Sequence, residues 1–244
     1  MILEESFKIQ SKDIGKGNYI KNRGILEIFE NIGAHHSDIV GYGIKDMEKT
    51  QISWVLIDWE VKVLNRPKYG QNLNVKTWGR NIDGKNPKAY TYRDFEIYDE
   101  NSNLCVIGTS KWAIINITTG KILRIDDEMI EKYQLEEKDA LGIGELKRIK
   151  EPSNFTNEIE YKVTRRDIDY NGHMHNLYYI DLAYEALPQN VYEQRPFEEF
   201  RINYKREVKI GDVIKCKYAF EDGKHIVIIE NVKDLKTNAV IILK

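Results

Sequence analysis

The sequence predicts an α+β protein of two tandem halves, each an antiparallel sheet wrapped around one helix. Three observations predict this fold. The chain resembles itself along most of its length, the same order of elements recurs in both halves, and the strand candidates of each half follow one helix candidate. Strand runs that share one helix favour a sheet whose apolar face covers that helix.

The internal repeat has two offsets. Phe7-Lys8-Ile9 aligns with Tyr161-Lys162-Val163, an offset of 154 residues that also sets Asn22 on Asn176. Further on the offset falls to 141, where Lys68-Tyr69-Gly70-Gln71 meets Lys209-Ile210-Gly211-Asp212. Loops of different length between the helix and the later strands explain the change.

In the first half a short strand and a loop precede a helix predicted at 23–35. Apolar side chains recur there at i, i+3, i+4 and i+7, which is helical spacing. Runs rich in Val, Ile, Tyr and Trp, broken by Gly, Asn or Asp, then predict strands. These strand candidates are 51–63, 72–80, 89–98 and 105–115.

The second half repeats this order, with a helix predicted at 177–187 and closed by Pro188. Its strand candidates are 200–207, 213–221, 225–233 and 239–243. The charged, turn-rich middle predicts a linker at 126–152 with a short helix at 127–135. The predicted domains are therefore an N-terminal repeat at 1–125, this linker, and a C-terminal repeat at 153–244.

Composition excludes several function classes. Charged residues make up 31% of the chain with a net charge of −2, so no bulk basic field argues for nucleic acid. No apolar run is long enough for a membrane span, and the acidic start, Met1 to Glu5, does not resemble a secretory signal. Two cysteines, Cys105 and Cys216, do not suggest a disulfide framework. We expect a cytoplasmic protein without nucleic-acid or membrane partners.

The segment Asp169-Tyr170-Asn171-Gly172-His173-Met174-His175-Asn176 carries the chemistry. It places a carboxylate, a carboxamide and two imidazoles directly before a helix, where free backbone N–H groups favour developing negative charge. This arrangement suits acyl transfer or hydrolysis.

A structural interpretation competes with this one. Asp169 and Asn171 commonly form turns and cap helices, and His173 and His175 also occur as structural histidines. His35-His36, at the predicted end of the first helix, is expected to cap that end, and we see no further ligands for a metal there.

Further segments carry a family resemblance, and they lie in order along the whole chain. They are Trp54-Val55-Leu56, Pro67-Lys68-Tyr69-Gly70, Val75-Lys76-Thr77-Trp78, Arg93-Asp94-Phe95, Thr109-Ser110-Lys111-Trp112 and Tyr204-Lys205-Arg206-Glu207. Together with the Asp-x-Asn-x-His pattern at 169, 171 and 173, they resemble the acyl-acyl carrier protein thioesterases of plants and bacteria.

The resemblance implies a double hotdog fold and hydrolysis of fatty acyl-acyl carrier protein to free fatty acid and carrier. It implies a water-activating set of Asp169, Asn171, His173 and Glu207, in which either carboxylate serves as base or as nucleophile. It implies the acyl carrier protein as partner and no metal or cofactor. Whether the protein is a monomer or a homodimer is left open.

The first half lacks this set, because Asp169, Asn171 and His173 align with Gly15, Gly17 and Tyr19. One active site per chain is therefore predicted, and the first half is free to hold the acyl chain. The residues predicted to do so are Ile25, Ile28, Phe29, Ile32 and Trp59. The alternative is that these apolar side chains only fill the core.

Two departures from the family pattern matter. The paired Asn that usually follows the His is His175-Asn176 here, and the Cys that plant members commonly carry after the Glu is Val208. The second departure argues against a Cys–His nucleophile. Basic residues that could meet an acidic carrier, or form only a solvated face, are Lys147, Arg148, Lys150, Arg165 and Arg166.

Three rival functions stay open. One is a thioesterase for acyl-coenzyme A, which shares the acyl chain and the thioester. Another is an enoyl hydratase of the same fold, but such enzymes place Asp and His five residues apart, whereas Asp169 and His173 are four apart. The last is a non-catalytic acyl-binding protein, which would lack the polar set.

Overall fold

The computed structural model describes residues 1–82 and 89–244. The chain divides into two compact units, Met1–Leu146 and Lys147–Lys244. Each unit combines an antiparallel sheet with a main helix, at Asn22–Val40 in unit 1 and at Tyr178–Glu185 in unit 2. This is the predicted α+β fold.

The described part of unit 1 has five strands in the order β1-β3-β4-β5-β2. The strands are β1 (Leu3–Lys8), β2 (Ile52–Val63), β3 (Asn72–Arg80), β4 (Thr91–Tyr98) and β5 (Leu104–Asn116). The helices are α1 (Asn22–Val40), the single turn α2 (Met47–Thr50) and α3 (Asp127–Tyr133). The predicted strand 89–98 therefore starts at Thr91.

Helix α1 runs five residues beyond its predicted end. It stops at Gly41, whose left-handed backbone (φ +83°) donates its N–H to the Ser37 carbonyl. Glycine is favoured at such a helix end because a Cβ is disfavoured in this conformation. The expectation that His35-His36 caps the helix was wrong, since both residues lie inside it and His36 is fully buried.

A buried polar cluster explains why α1 continues. Arg93 on β4 is buried beneath the helix, and its Nη1 donates to Nδ1 of His36 at 2.7 Å. Tyr133 on α3 donates its hydroxyl to Ser37 Oγ at 2.9 Å. Burial, with a further contribution from the Arg93 charge, lowers the pKa of His36 to about 3. His36 is therefore the neutral acceptor that an always-charged arginine needs.

The region predicted as a linker mostly packs into unit 1. Met129 and Tyr133 of α3 join a buried apolar cluster with Tyr42 and Ile114. Further along, Arg80 is buried between Asp94 (Nε to Oδ2, 3.0 Å) and Asp139 (Nη1 to Oδ2, 3.1 Å). It also donates to the Gly144 carbonyl at 2.8 Å. The charges that suggested a solvated linker thus fasten residues 139–144 to the sheet.

The described part of unit 2 has five strands in the order β7-β10-β9-β8-β6. They are β6 (Asn157–Lys162), β7 (Glu199–Tyr204), β8 (Val213–Glu221), β9 (Lys224–Asn231) and β10 (Thr237–Leu243). Helix α4 (Tyr178–Glu185) packs against β8, β9 and β10, and a single turn, α5 (Gln189–Tyr192), follows it. The predicted strand 200–207 ends at Tyr204, so Glu207 lies past it.

Isolated backbone bridges confirm the internal repeat and both of its offsets. The bridge between Ile14 and Ile20 recurs between Ile168 and Met174, each residue 154 positions later. The bridge between Tyr19 and Lys68 recurs between His173 and Lys209, at offsets of 154 and 141. The two halves therefore share local backbone contacts as well as their order of elements.

We expect His36 to make unit 1 sensitive to acid. Its folded pKa of about 3 lies below the ordinary value, so between pH 3 and 6.5 the unfolded chain binds a proton that the folded chain excludes. Stability is then full above pH 6.5 and falls as the pH drops. At pH 5 the loss from this residue is about 2 kcal/mol.

The His36→Gln variant keeps an acceptor for Arg93 but does not titrate. Urea unfolding at pH 5 and pH 7.5 should show a smaller loss of unfolding free energy in the variant than in wild type. An identical loss in both proteins would show that His36 is not the acid-sensitive group.

Candidate active site

Asp169 shapes the turn in which it lies. Its Oδ1 accepts hydrogen bonds from the backbone N–H groups of Asn171 at 2.8 Å and His173 at 3.1 Å. Its own N–H donates to the His173 carbonyl at 2.8 Å. Gly172 has φ +80°, a conformation that favours glycine. The side-chain-to-backbone bonds are those of an Asx turn, so the structural interpretation of Asp169 is realised at Oδ1.

The second carboxylate oxygen of Asp169 is available for other contacts. Among the residues that the structure describes, no group donates a hydrogen bond to Oδ2, and none bonds the side-chain amide of Asn171. Asn171 is exposed, whereas Asp169 is half-buried. The turn thus presents one carboxylate oxygen and one carboxamide that the fold itself does not use.

Asp167 anchors the chain just before this turn. Its buried carboxylate accepts from Thr164 N at 2.7 Å, Thr164 Oγ1 at 2.8 Å and Tyr161 Oη at 2.8 Å. Burial alone raises the pKa of this carboxyl, but the hydrogen bonds outweigh it and lower the pKa below its ordinary value. The Asp167 carbonyl also accepts from His175 N at 2.8 Å, which fixes the far side of the turn.

A short antiparallel ladder brings Glu207 to His173. Met174 N donates to the Val208 carbonyl at 2.8 Å, and His173 lies opposite Lys209. Because side chains alternate between faces, Glu207 and Lys209 share a face with His173. His173 Nε2 and Glu207 Oε2 are 2.8 Å apart, and Lys209 Nζ lies 3.0 Å from Glu207 Oε1.

The opposite face of this ladder belongs to the core. Val208 and Met174 are buried, whereas Glu207 is about half exposed and His173 one-third exposed. A side chain at position 208 is therefore directed away from His173. The absence of a cysteine at this position is consistent with its packing role, and the two cysteines, Cys105 and Cys216, are buried elsewhere.

Most of the backbone N–H groups at the start of α4 already donate hydrogen bonds within the fold. His175 Nδ1 accepts from Leu177 N at 3.3 Å, and its carbonyl accepts from Tyr178 N at 3.0 Å. His175 thus holds the backbone just before α4, which is a structural role. Within residues 1–82 and 89–244, the N–H of Asn176 has no acceptor. That donor, set just before α4, is left for a ligand.

Sequence reasoning missed Lys209, and it predicted backbone N–H donors at the helix start without singling out that of Asn176. The alternation of Glu207, Val208 and Lys209 is a signal that could have placed Lys209 beside Glu207. No sequence signal singles out the Asn176 N–H among the donors near the helix start, since its availability depends on which neighbours are already bonded.

The residues predicted to hold the acyl chain lie together in the core of unit 1. Phe29 stacks on Phe95 at 4.4 Å and on Trp59 at 5.8 Å between ring centroids. Ile25, Ile32 and Trp59 are fully buried, and Ile28 is nearly so. These contacts are core packing, and an acyl-binding role for the same residues stays a prediction.

In unit 1 the position equivalent to Glu207 holds a cation. Ile20 N donates to the Pro67 carbonyl at 3.0 Å, as Met174 N does to Val208, which places Arg66 at the counterpart of Glu207. The buried Arg66 donates to the Ile20 carbonyl at 2.9 Å and to Asn22 Oδ1 at 2.8 Å. The first repeat thus keeps the backbone contact but carries the opposite charge.

The described residues contain no group of three or more His, Cys, Asp or Glu side chains arranged to hold a metal ion. None of their helices is both long enough and apolar enough to cross a bilayer.

Comparison with solved structures identifies the class of fold. An acyl-ACP thioesterase from Bacteroides thetaiotaomicron superposes with a TM-score of 0.86 at 21% identity, covering 99% of this chain and 96% of that one. A 12:0-ACP thioesterase from Umbellularia californica gives 0.86 at 19% identity, covering 100% and 96%. This chain has their fold, the double hotdog.

Family models identify the chain more closely. The acyl-ACP thioesterase N-terminal domain matches residues 2–133, and the acyl-ACP thioesterase C-terminal domain matches residues 150–243. The chain therefore belongs to the acyl-ACP thioesterase family.

Curated relatives are distant and longer. Oleoyl-acyl carrier protein thioesterase 1 of Arabidopsis thaliana is 22% identical over 228 residues, covering 86% of this chain and 62% of the relative. An acyl-[acyl-carrier-protein] hydrolase of Cuphea viscosissima is 26% identical over 250 residues, covering 95% and 60%. Both relatives are chloroplastic proteins, and this chain spans about three-fifths of their length.

We expect Gly172→Ala to strain the Asp169 turn. Nothing lies within 4 Å of an added Cβ, so the cost comes from the left-handed backbone and is about 1 kcal/mol. Gly223→Ala is a matched control, with φ +72° and equal space but a position between β8 and β9.

Urea unfolding should give similar losses for both variants, while amide NMR spectra should show shifted Asn171 and His173 signals only for Gly172→Ala. Unshifted signals in that variant would mean that the turn does not depend on the Gly172 conformation.

Proposed function

We propose that this chain hydrolyses fatty acyl-acyl carrier protein to free fatty acid and the carrier thiol, at one site in unit 2. The observation that carries the proposal is the His173–Glu207 pair, 2.8 Å between Nε2 and Oε2, in a chain of this family. The names of its relatives, oleoyl- and dodecanoyl-acyl carrier protein hydrolases, support a fatty acyl substrate.

His173 moves the proton in this mechanism. With Nε2 bonded to the Glu207 carboxylate, Nδ1 is the ring atom left to take a proton. As water attacks the thioester carbon, a C–O bond forms and one water proton passes to His173. The tetrahedral intermediate then breaks its C–S bond, and the departing thiolate takes the proton back. Glu207 stabilises the imidazolium through this contact.

The remaining groups place the water and the oxyanion. The Asn171 carboxamide and Asp169 Oδ2 hold the attacking water. Neither group takes part in the hydrogen bonds that form the turn. The Asn176 N–H donates to the oxyanion, aided by the positive end of the α4 dipole. Only the transition state carries that negative charge, so the donor contributes mainly to turnover.

The acyl chain is proposed to bind in the first repeat, along Ile25, Ile28, Phe29, Ile32 and Trp59. What supports this role is their apolar surface and the absence of the catalytic set from that repeat. The proposed compartment is the cytoplasm, supported by two buried thiols that are not joined in a disulfide.

The rival functions fit less well. A hydratase gives no role to a carboxylate bonded to His173, and a passive binding protein gives none to the unused Asp169 oxygen. Acyl-coenzyme A hydrolysis would use the same groups, and comparing thiol release from the two carriers separates the two substrates.

We expect Glu207→Gln to abolish most turnover. The amide cannot stabilise a protonated His173, so turnover should fall by about 10²- to 10⁴-fold. Glu199→Gln is the control, since that carboxylate has a similar exposure and pairs with Lys244 at 2.9 Å elsewhere in the unit.

The assay is thiol release from a panel of acyl-acyl carrier proteins. Near-normal turnover by Glu207→Gln would remove Glu207 from the catalytic set, and no release by wild type on any carrier would reject the thioesterase proposal.

Two substitutions at Asp169 separate its turn-forming role from its chemical role. Asp169→Asn keeps an Oδ1 acceptor for the two backbone N–H groups, so its stability should match wild type while turnover falls by about 10²-fold. Asp169→Ala should in addition lose about 1 kcal/mol of stability.

Urea unfolding and thiol release on the same preparations make this comparison. Full turnover in Asp169→Asn would show that the residue acts only by folding the turn.

A further inference from the structure

We propose that Lys209 is a positioning residue, whose ammonium holds Glu207 Oε1 so that Oε2 stays on His173. The inference rests on the proposed thioesterase function and assigns a role in that same site to a residue outside the Asp-x-Asn-x-His pattern.

The ladder places these three side chains together by geometry alone. Lys209 lies directly opposite His173, and Glu207 lies two residues before Lys209 on the same face. The carboxylate is therefore shared, with Oε2 2.8 Å from His173 Nε2 and Oε1 3.0 Å from Lys209 Nζ. A cation on one oxygen opposes rotation of the carboxylate away from the imidazole.

The backbone of Lys209 is itself held in place. Its N–H donates to Asp212 Oδ2 at 2.9 Å, and its carbonyl accepts from Asp212 N at 3.1 Å. The side chain thus starts from a fixed point in a tight turn, although it is 60% exposed as a whole. A fixed origin reduces the entropy lost when the ammonium pairs with Glu207.

The first repeat provides an internal comparison. Lys68 occupies the equivalent position and lies opposite Tyr19, the counterpart of His173. Its Nζ sits 4.8 Å from the centre of the Tyr19 ring. The counterpart of Glu207 there is Arg66, a cation. Both repeats thus keep a lysine at this place, and in the second it meets a carboxylate and lies opposite an imidazole.

Other titratable groups lie near the Lys209–Glu207 pair. Asp169 and Asp212 lie close enough, together with Glu207, to affect the buried Tyr179 on α4. Burial first, and then these three carboxylates, raise the pKa of the Tyr179 hydroxyl, which stays a neutral phenol. With several negative groups nearby, Lys209 is the cation that the structure places on Glu207.

Removal of the Lys209 charge should move the pH–rate profile in one direction. An opposite charge 3.0 Å from Glu207 Oε1 favours the ionised carboxylate and opposes its rotation. In a variant without that charge, the acid limb of the pH–rate profile should move upward. Because the pair is largely exposed, the movement should be small.

The test compares Lys209→Met, Lys209→Arg and the control Lys68→Met. For thiol release from acyl-acyl carrier protein, Lys209→Met should raise the midpoint of the acid limb and lower kcat severalfold with little change in KM. Lys209→Arg should restore the wild-type profile, and Lys68→Met should leave it unchanged. Urea unfolding checks that all three variants are folded.

A second readout does not depend on activity. In NMR titrations of labelled histidine, the ring signals of His173 should change at a higher pH in Lys209→Met than in wild type or in Lys68→Met. The reason is that a neighbouring positive charge has been removed. If wild type releases no thiol, the thioesterase proposal fails while this titration still decides whether Lys209 acts on the pair.

Two results would overturn the inference. One is a raised KM with an unmoved acid limb, which would make Lys209 a contact for the carrier. The other is an identical His173 titration in all variants, which would make the Lys209–Glu207 contact a surface pair without effect.

Discussion

Backbone pairing of His173 and Met174 with residues 208 and 209 holds the candidate site together. The hydrogen bond from Met174 N to the Val208 carbonyl sets which side chains of residues 207–209 face His173. A slip of one residue would exchange the two faces, bringing Val208 to the imidazole and turning Glu207 and Lys209 into the core. Burial of Val208 and Met174 resists that slip, because the apolar side chains would have to enter water. The packing of Val208 and Met174 on one face of the ladder therefore determines which side chains meet on the other face.

The same constraint occurs twice in the chain with different chemistry. In the first repeat the Ile20–Pro67 hydrogen bond is kept, but Tyr19 and Arg66 stand where His173 and Glu207 stand in the second. Arg66 is buried and bonded to its own neighbours, so it serves the fold there. The backbone arrangement is thus independent of the side chains that it carries. The second copy holds the His173–Glu207 pair, whereas in the first copy the equivalent position serves the fold.

Much of the fold could be predicted because its patterns are local. Strands 72–80 and 213–221 have the predicted ends, since alternating apolar residues stop at clear turn signals. Errors arose where tertiary burial overrides local pattern. The end of α1 was misplaced because a histidine pair resembles a helix terminus, whereas Arg93 on a distant strand accounts for the burial of His36. The segment at 126–146, predicted as part of a linker, packs into unit 1, where Asp139 pairs with Arg80 on β3.

The candidate site was likewise only partly predictable from the sequence. Spacing along the chain located the Asp169 turn and Glu207, but not their geometry, because the ladder joins segments about 35 residues apart. The alternation of residues 207–209 could have placed Lys209 beside Glu207. The Asn176 N–H depends on which neighbours are already bonded, and this cannot be read from one sequence. The dual use of Asp169, with one oxygen folding the turn and the other unused, is also visible only in three dimensions.

The two offsets of the repeat have a consequence for how such a chain can change. They differ by 13 residues, and the difference lies between the two arms of the ladder, in the stretch from Ile20 to Pro67 and its counterpart from Met174 to Val208. The same backbone hydrogen bond closes both stretches despite their unequal length. Insertions and deletions within this stretch can therefore change the helix and loops between the two arms without moving the side chains that the ladder brings together. The surroundings of the helix and the pairing of those side chains can thus evolve separately.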